Sequence, residues 1–196
     1  MIIGITGGTG CGKTTLLELI SQAGGLVLDC DAIYHCLLKE DPELLGAIAA
    51  RFPGVVEAGR LQRKKLGRLV FSDPAALADL NAITHKAVKA EVVRQLSTKP
   101  TLAAIDAIAL HEGGLAELCD VTVAVTAPEE DRIARLMARD GIDEDYARKR
   151  LAAQHTEEWF RSRCDRMLTN DADRKTFREK CVAFLREYGI IVGNDK

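Results

Sequence analysis

The chain has 196 residues, of which 47% are hydrophobic, and its formal net charge at pH 7 is -2. This length suits a single α/β domain with a proper hydrophobic core. The nearly balanced charge argues against general electrostatic binding to nucleic acid or to acidic membranes. No apolar run approaches the length of a membrane span, and the sequence opens on a strand pattern instead of a signal peptide, so we expect a cytoplasmic protein.

A glycine-rich segment near the N-terminus carries the most specific motif. Residues 1–6 form a short apolar run rich in β-branched side chains, which predicts a strand, and residues 15–20 are apolar at helical spacing. Between them stands G-x-x-x-x-G-K-[ST], the phosphate-binding loop. The order of strand, glycine loop and helix is the context that this motif requires. The weaker alternative is a glycine turn with an exposed lysine.

The residue types in this loop suit the binding of phosphate groups. Consecutive backbone N–H groups must approach the phosphate oxygens, and a Cβ atom at Gly7 or Gly12 would obstruct the curl of the loop. The helix N-terminus adds further N–H donors. Lys13 supplies a point charge for the β- and γ-phosphates, and the Thr14 hydroxyl is placed to bind Mg²⁺. The predicted nucleotide-binding residues are Gly7, Gly8, Gly10, Cys11, Gly12, Lys13, Thr14 and Thr15.

The six cysteines contain no C-x-x-C pair and are expected to be reduced thiols, most of them buried. Cys11 differs from the others, because a helix N-terminus lowers the pKa of a nearby thiol. Two interpretations of Cys11 remain open. The favoured one is a small residue that fills space in the loop, and the other is a thiol open to modification.

A second strand is predicted at residues 25–28, followed by Asp29, Cys30 and Asp31. The next helix is predicted over residues 32–39, with Asp31 as its candidate N-cap. In an open α/β sheet, carboxylates at the C-terminal end of a strand point into the ligand crevice. Two of them at i and i+2, beside a phosphate loop, favour a functional role, with helix capping as the alternative.

Residues 41–99 show a helical pattern without a clear strand, and Ser72-Asp73-Pro74 predicts the start of a long helix. The basic side chains of this region either bind phosphate or form a solvated helix face, and the second interpretation is favoured for most of them. The run breaks the alternation of strands and helices. It is therefore predicted to be a helical insertion over about residues 33–98, of the type that commonly binds the phosphate acceptor in P-loop kinases.

Three further strands are predicted, at residues 101–106, 120–126 and 190–192. The first of these ends in Asp106, a pattern similar to the second nucleotide motif, in which a strand delivers an aspartate toward Mg²⁺. Helices are predicted after Pro128, over residues 144–154 and over residues 174–187. The alternation predicts a single three-layer α/β domain over residues 1–196, with a five-stranded parallel sheet.

The helices on both sides of Gly141 are rich in arginine. The side chains are Arg132, Arg135, Arg139, Arg148 and Arg150. Because phosphoryl transfer gains from cations that arrive late and exclude water, this pair of helices predicts a lid over about residues 139–156, hinged at Gly141. The alternative is a pair of amphipathic surface helices held by ion pairs.

Several downstream segments add specificity to the loop and the Asp29–Asp31 pair. They are Leu61-Gln62-Arg63-Lys64-Lys65-Leu66, Val70-Phe71-Ser72-Asp73-Pro74, Leu80-Asn81-Ala82-Ile83-Thr84-His85, Arg139-Asp140, Gln154 and Asn170. Together these segments resemble the dephospho-CoA kinase family over nearly the whole chain. The blocks between Leu61 and His85 discriminate this family from other nucleotide kinases.

The resemblance implies transfer of the ATP γ-phosphoryl group to the 3′-hydroxyl of dephospho-CoA, the last step of CoA synthesis, with ATP and Mg²⁺ required. It implies catalytic roles for Lys13, Asp31 and Arg139: Asp31 accepts or orients the hydroxyl proton, and Arg139 is a lid cation. Further implied residues are Asp29, Asp31, Arg63 and His85 at the acceptor, and Thr14 and Asp106 at the metal. It implies no nucleic-acid or membrane partner and leaves the oligomeric state open.

The chain departs from the usual family pattern at three places. Lys86 follows His85 where a proline is usual, residues 108–111 replace a proline-leucine-leucine block before Glu112, and Phe160 stands where an arginine is expected. Two other functions remain open: a kinase for a different nucleoside or nucleotide, and a nucleotide-dependent switch or transport ATPase. The chain lacks the N-K-x-D and L-S-G-G-Q motifs of the second class.

Overall fold

The computed structural model describes residues 1–193 and divides into two compact units. The first unit comprises residues 1–28, 100–111 and the chain from Leu115 onward, and the second comprises residues 29–99 and 112–114. The strands are β1 (Ile2–Thr6), β2 (Leu26–Asp29), β3 (Val56–Glu57), β4 (Arg60–Leu61), β5 (Ala103–Asp106), β6 (Val121–Thr126) and β7 (Arg166–Thr169). The α-helices are α1 (Lys13–Gln22), α2 (Cys30–Glu40), α3 (Pro42–Arg51), α4 (Arg63–Phe71), α5 (Pro74–Leu96), α6 (Glu129–Asp140), α7 (Glu144–Ala152), α8 (Glu157–Arg161) and α9 (Arg174–Glu187), and a 3₁₀ turn covers Ala116–Leu118.

The first unit is built on a five-stranded sheet in the order β2-β5-β1-β6-β7. β1 pairs in parallel with β5 and β6, and β6 pairs in parallel with β7. All six residues of β6 are buried, as expected for a strand covered by helices on both faces. The largest fully buried side chains here include Ile3, Leu16 and Phe177, contributed by β1, α1 and α9. The prediction of a five-stranded parallel α/β sheet is confirmed.

The predicted last strand at residues 190–192 is wrong. These residues belong to no strand, and the fifth strand is β7, which pairs with β6. Ile190 and Val192 pack against the core of the first unit as irregular chain, while Ile191 is exposed. Their apolar pattern therefore arises from core contact. The β7 segment lacked a strand signal, because its only fully apolar residues are Met167 and Leu168.

The second unit consists of α2 to α5 and a small antiparallel hairpin formed by β3 and β4. The expectation that this region has no strand is wrong for the hairpin, whose two-residue strands are too short for a period-2 pattern. The start of α5 after Asp73 is confirmed, and the Asp73 carboxylate accepts from the N–H groups of Ala75 and Ala76. Within the described residues, no helix is both long enough and apolar enough to cross a lipid bilayer.

The helix cap predicted at Asp31 is also wrong. Asp29 is the N-cap of α2, and its Oδ1 accepts from the N–H of Ala32 at 2.9 Å. A capping side chain reaches the N–H two or three residues ahead, so only the residue at the end of β2 is placed to cap a helix that begins at Cys30. Asp31 lies in the first helical turn instead, where it is exposed.

The start of β7 is fixed to β6 by Asp165. Its Oδ2 accepts from the N–H and the hydroxyl of Thr122 at 2.8 and 2.7 Å, and its own N–H donates to the Thr122 hydroxyl at 3.0 Å. These hydrogen bonds from Thr122 lower the pKa of the Asp165 carboxyl below its ordinary value. The contact positions β7, which leads to Asn170.

We expect Asp165→Asn to destabilise the protein near pH 7 by about 1 kcal/mol, because a charged acceptor is lost. A carboxyl whose folded-state pKa is lowered stabilises the fold above its ordinary pKa, near 4, and this contribution disappears as the pH falls through the folded-state pKa. The difference in unfolding free energy between wild type and variant should therefore shrink below about pH 4. Urea unfolding at several pH values measures it, and a difference that is independent of pH would contradict the assignment.

Candidate active site

The phosphate-binding loop joins β1 to α1 through a backbone that only glycine accommodates. Gly7, Gly10 and Gly12 have φ angles of 129°, 82° and 96°. A Cβ atom on Gly7 would lie 2.1 Å from the carbonyl oxygen of Val125, and one on Gly12 would lie 2.4 Å from Asn170 Nδ2. The expected obstruction at these two positions therefore has a definite structural cause, which is the close approach of β6 and of the residue after β7.

The first turn of α1 provides backbone donors at the end of the loop. Gly12 is the N-cap in a left-handed conformation, and no side chain among residues 1–193 caps the helix. Lys13 begins the helix, and its Nζ donates to the carbonyl oxygen of Gly7 at 3.1 Å, which draws the ammonium group back over the loop. Thr14 is exposed and Thr15 is half-buried. Uncapped N–H groups beside an ammonium group form an arrangement that binds phosphate.

Cys11 faces the protein core. It is 2% exposed and packs in the same cluster as Leu16 and Phe177. Burial raises the pKa of its thiol, although the charges of Arg132 and Lys13 oppose this shift. The interpretation of Cys11 as a thiol activated by the helix N-terminus is therefore wrong, because desolvation outweighs the effect of the nearby positive charges. Cys11 fills space beneath the loop, and its carbonyl oxygen accepts from Asn170 Nδ2 at 2.9 Å.

Side chains outside the motif hold the outer side of the loop. Arg132 Nε donates to the carbonyl oxygen of Thr9 at 3.0 Å, and an N–H of Arg135 donates to the carbonyl oxygen of Gly10 at 3.1 Å. Gln154 also contacts Thr9. The sequence predicted the arginines only as lid cations and gave Gln154 and Asn170 no structural role. The available signal was their place in the chain: Arg132 and Arg135 lie in α6, Gln154 follows α7, and Asn170 follows β7.

The remaining arginines of the predicted lid form ion pairs. Arg139 donates two hydrogen bonds to the carboxylate of Asp140, at 2.7 and 3.0 Å, and Arg150 binds the same carboxylate at 2.7 Å. The hydrogen bond from Arg139 is the main reason why the pKa of Asp140 falls to about 2. Arg148 contacts Glu129, Glu130 and Glu144. For these three arginines the structure shows the surface ion pairs that the alternative interpretation predicted.

The predicted metal ligands offer oxygen atoms. Asp106 ends β5 directly beside Ile5 of β1, and its Oδ1 is buried. Thr14 carries an exposed hydroxyl in the first turn of α1. Mg²⁺ prefers hard oxygen ligands and usually retains several waters and substrate phosphates, so a hydroxyl with one carboxylate suits it. The chemistry of this donor set fits Mg²⁺.

The predicted acceptor residues lie in the second unit. Asp29 and Asp31 stand at the start of α2, Arg63 begins α4, and His85 lies in the middle of α5. The Asp29 carboxylate already accepts the capping hydrogen bond from the N–H of Ala32. Asp31 and Arg63 are exposed, and His85 is half-buried. The structure therefore distributes these residues over three helices of one compact unit.

Two of the departures from the family pattern have structural explanations. Phe160 is 3% exposed and packs edge-on against Trp159, so it serves the core of the first unit. The side chain of Ile108 is exposed, while its carbonyl oxygen accepts from the Thr6 hydroxyl at 3.1 Å, a backbone contact open to many residue types. Lys86 is exposed on α5, and nothing in the structure explains the replacement of proline there.

The sequence model of the dephospho-CoA kinase family matches residues 1–176 of this chain. The chain belongs to the dephospho-CoA kinase family. A dephospho-CoA kinase of Deinococcus radiodurans is 37% identical over 96% of this chain and 92% of its own length. One of Syntrophotalea carbinolica is 34% identical over 94% and 90%. As a member of this family, the chain is an ATP-dependent kinase that transfers phosphate to a hydroxyl group.

Solved structures share the fold of this chain. The crystal structure of TT1252 from Thermus thermophilus matches with a TM-score of 0.79 and 36% identity, covering 95% of this chain and 97% of that one. A shikimate kinase from Bacteroides thetaiotaomicron matches with a TM-score of 0.53 at 17% identity, covering 97% and 99%, which supports the fold alone. The predicted P-loop kinase fold is confirmed.

We expect Gly7→Ala to lower ATP affinity at least about tenfold and stability by about 2 kcal/mol, because the φ angle is strained and the new Cβ meets the β6 backbone. Gly46→Ala in α3 is the matched control. The new Cβ atom at position 46 would meet open space within 4 Å. Because alanine is more stable than glycine inside a helix, this variant should be more stable by about 0.5–1 kcal/mol, with unchanged ATP affinity. Denaturant unfolding and calorimetric titration with ATP measure both effects. Wild-type ATP affinity in Gly7→Ala would contradict the assignment of the loop.

Proposed function

We propose that the chain phosphorylates the 3′-hydroxyl of dephospho-CoA with ATP in the cytoplasm, as the last step of CoA synthesis, with no nucleic-acid or membrane partner. The observation that carries this proposal is the family match over residues 1–176, which includes both the phosphate-binding loop and the helical second unit. A kinase for another nucleoside or nucleotide would share the loop. It would have no reason to share the blocks between Leu61 and His85.

The proposed mechanism is direct in-line transfer without a covalent intermediate. The loop N–H groups and Lys13 bind the β- and γ-phosphates and stabilise the charge that develops during transfer. The hydrogen bond from Lys13 to Gly7 supports this role, because it holds the ammonium group over the loop. The nucleotide-binding residues are those of the motif together with Thr15.

Mg²⁺ bound by the Thr14 hydroxyl, with Asp106 holding it through water, would neutralise part of the phosphate charge. Both side chains are oxygen donors, as this ion requires. The positive charge that the chain itself supplies to the phosphates comes chiefly from Lys13.

Asp31 is the proposed partner of the acceptor hydroxyl. Asp29 already caps α2, whereas Asp31 is exposed and makes no side-chain hydrogen bond or ion pair with the residues that the structure describes. Its charge is therefore available to a substrate. A carboxylate is a weak base at neutral pH, and a loose transition state requires little proton removal before bond formation. Orientation of the hydroxyl is the main role that we assign to Asp31.

The second unit is the proposed acceptor-binding insertion, close to the predicted range of about residues 33–98. Arg63 is an exposed cation suited to an anionic acceptor, and His85 offers a ring nitrogen for a hydrogen bond. Asp29 contributes by fixing the start of α2, which sets the position of Asp31. Dephospho-CoA carries a diphosphate, so an acceptor site with a free cation is chemically appropriate.

The lid over about residues 139–156 remains a proposal, with Arg139 as its cation. Arg139 binds Asp140 in the structure. To reach a phosphate group it must exchange this carboxylate for the more highly charged triphosphate. The exchange is accessible because both side chains lie at the surface, where an ion pair contributes little.

The proposed function is tested by one coupled assay of ADP formation with dephospho-CoA, AMP, uridine and shikimate as acceptors. Of these four acceptors, we expect only dephospho-CoA to support rapid ADP formation. Without any acceptor, ADP formation should be very slow. Lys13→Ala is the inactive control, with kcat reduced on the order of 100-fold for the loss of one transition-state cation. Preference for another acceptor would overturn the substrate assignment, and acceptor-independent turnover would favour a switch or transport ATPase.

We expect Asp31→Asn to lower kcat by at least about tenfold with nearly unchanged ATP affinity, because the amide keeps the size of the side chain but loses its charge. Asp29→Asn is the matched control, since asparagine caps helices as well as aspartate does and should leave kcat close to wild type. Steady-state kinetics and ATP titration measure both variants. If Asp29→Asn were the damaging change, the roles within the pair would be reversed.

We expect Arg139→Ala to lower kcat more than it weakens ATP binding, because the proposed contact with phosphate forms in the closed and transition states. Arg139→Lys should restore only part of the rate, since lysine lacks the bidentate fork. Arg161→Ala serves as the control, because Arg161 also forms a surface ion pair, with Glu157, but lies outside the proposed lid. An unchanged kcat in Arg139→Ala would leave the arginine with its surface ion pair only.

A further inference from the structure

Thr9, in the middle of the phosphate-binding loop, has every polar group bonded to side chains from outside the motif. Its N–H donates to Gln154 Oε1 at 3.0 Å, and its hydroxyl accepts from Gln154 Nε2 at 2.6 Å. Its carbonyl oxygen accepts from Arg132 Nε at 3.0 Å. The loop itself supplies none of these contacts.

Gln154 and Arg132 also bind each other, which closes a ring of three residues. Arg132 donates an N–H to Gln154 Oε1 at 2.6 Å. Because Oε1 accepts from two donors while Nε2 donates to the Thr9 hydroxyl, the orientation of the Gln154 amide is determined. Glycine at position 8 permits this closure, since a Cβ there would lie 2.2 Å from the Arg132 guanidinium and 2.7 Å from Gln154 Oε1.

The backbone on both sides of Gln154 is itself fixed. The N–H of Gln154 donates to the carbonyl oxygen of Leu151 at the end of α7, at 3.0 Å. The next residue, His155, stacks on Trp159 of α8 with ring centroids 3.7 Å apart and planes 3° apart. Arg163 lies over the same indole ring at 4.5 Å. The Gln154 amide therefore extends from a short segment between α7 and α8 that is held by these backbone and ring contacts.

We propose that Gln154 is a positioning residue for ATP binding, which holds Thr9 and Arg132 so that the following N–H groups of the loop are already arranged for phosphate. This inference rests on the proposed function only in taking ATP as the ligand of the loop. Without Gln154, the loop samples more conformations, and ATP binding must bear the entropic cost of ordering it. The effect falls on ATP affinity, because the loop reaches the same bound conformation once ATP is present.

The experiment compares wild type, Gln154→Ala, Thr9→Val and the double variant by calorimetric titration with ATP and by steady-state kinetics. Thr9→Val keeps the side-chain shape and removes only the hydroxyl. We expect a Kd for ATP about tenfold higher in Gln154→Ala and severalfold higher in Thr9→Val. Because both changes break the same ring, the double variant should bind ATP no more weakly than Gln154→Ala. At saturating ATP, kcat should stay within about threefold of wild type.

Two controls separate positioning from loss of structure. Gln22→Ala removes an exposed glutamine at the end of α1 and should leave the Kd for ATP unchanged. Trp159 is the single tryptophan of the chain and stacks on the residue after Gln154, so an unchanged emission spectrum shows that the segment stays folded.

Wild-type ATP affinity in Gln154→Ala, strictly additive effects in the double variant, or a fall in kcat at unchanged Kd would each overturn the positioning role. The proposed function fails separately: if wild type binds ATP but does not phosphorylate dephospho-CoA, the Kd values of the four proteins still decide the role of Gln154.

Discussion

The curl of the phosphate-binding loop is the constraint on which the rest of the site depends. Gly7, Gly10 and Gly12 adopt φ angles of 129°, 82° and 96°, which present backbone N–H groups but leave the loop few side chains to hold itself. Its stability must therefore come from elsewhere. Arg132, Arg135, Gln154 and Asn170 provide polar contacts from outside the loop, and Cys11 provides apolar support beneath it. Side chains more than 100 residues further along the chain therefore hold the loop in its conformation.

This dependence explains which parts of the molecule the sequence could predict. The loop, β1 and α1 are contiguous, so the glycine pattern, the strand and the helix start could be predicted together. The same holds for α9, whose predicted bounds of 174–187 agree with the structure, because its apolar residues recur at helical spacing and Asp173 supplies a cap. For Cys11 the sequence favoured a space-filling role but left a modifiable thiol open, since the choice depends on a core cluster shared with α9, far along the chain.

The errors share a physical cause, which is competition between local preference and long-range contact. The β7 segment has little strand pattern of its own, and Asp165 bonded to Thr122 secures its pairing with β6. Residues 190–192 have such a pattern but pack on the core without joining the sheet. At Asp29 and Asp31 the outcome depended on where α2 begins, because a shift of two residues exchanges the cap and the free carboxylate.

The arginines of α6 show how one helix face can serve two purposes. Arg132, Arg135 and Arg139 stand at i, i+3 and i+7, so they lie along one face. The first two contact the loop, and the third lies about 6 Å further along the axis, at 1.5 Å per residue, where it meets Asp140. A ligand that extends from the loop along this face would therefore approach Arg139 last. Such an order would suit the proposed role of Arg139 as a cation that stabilises the transition state more than the bound substrate.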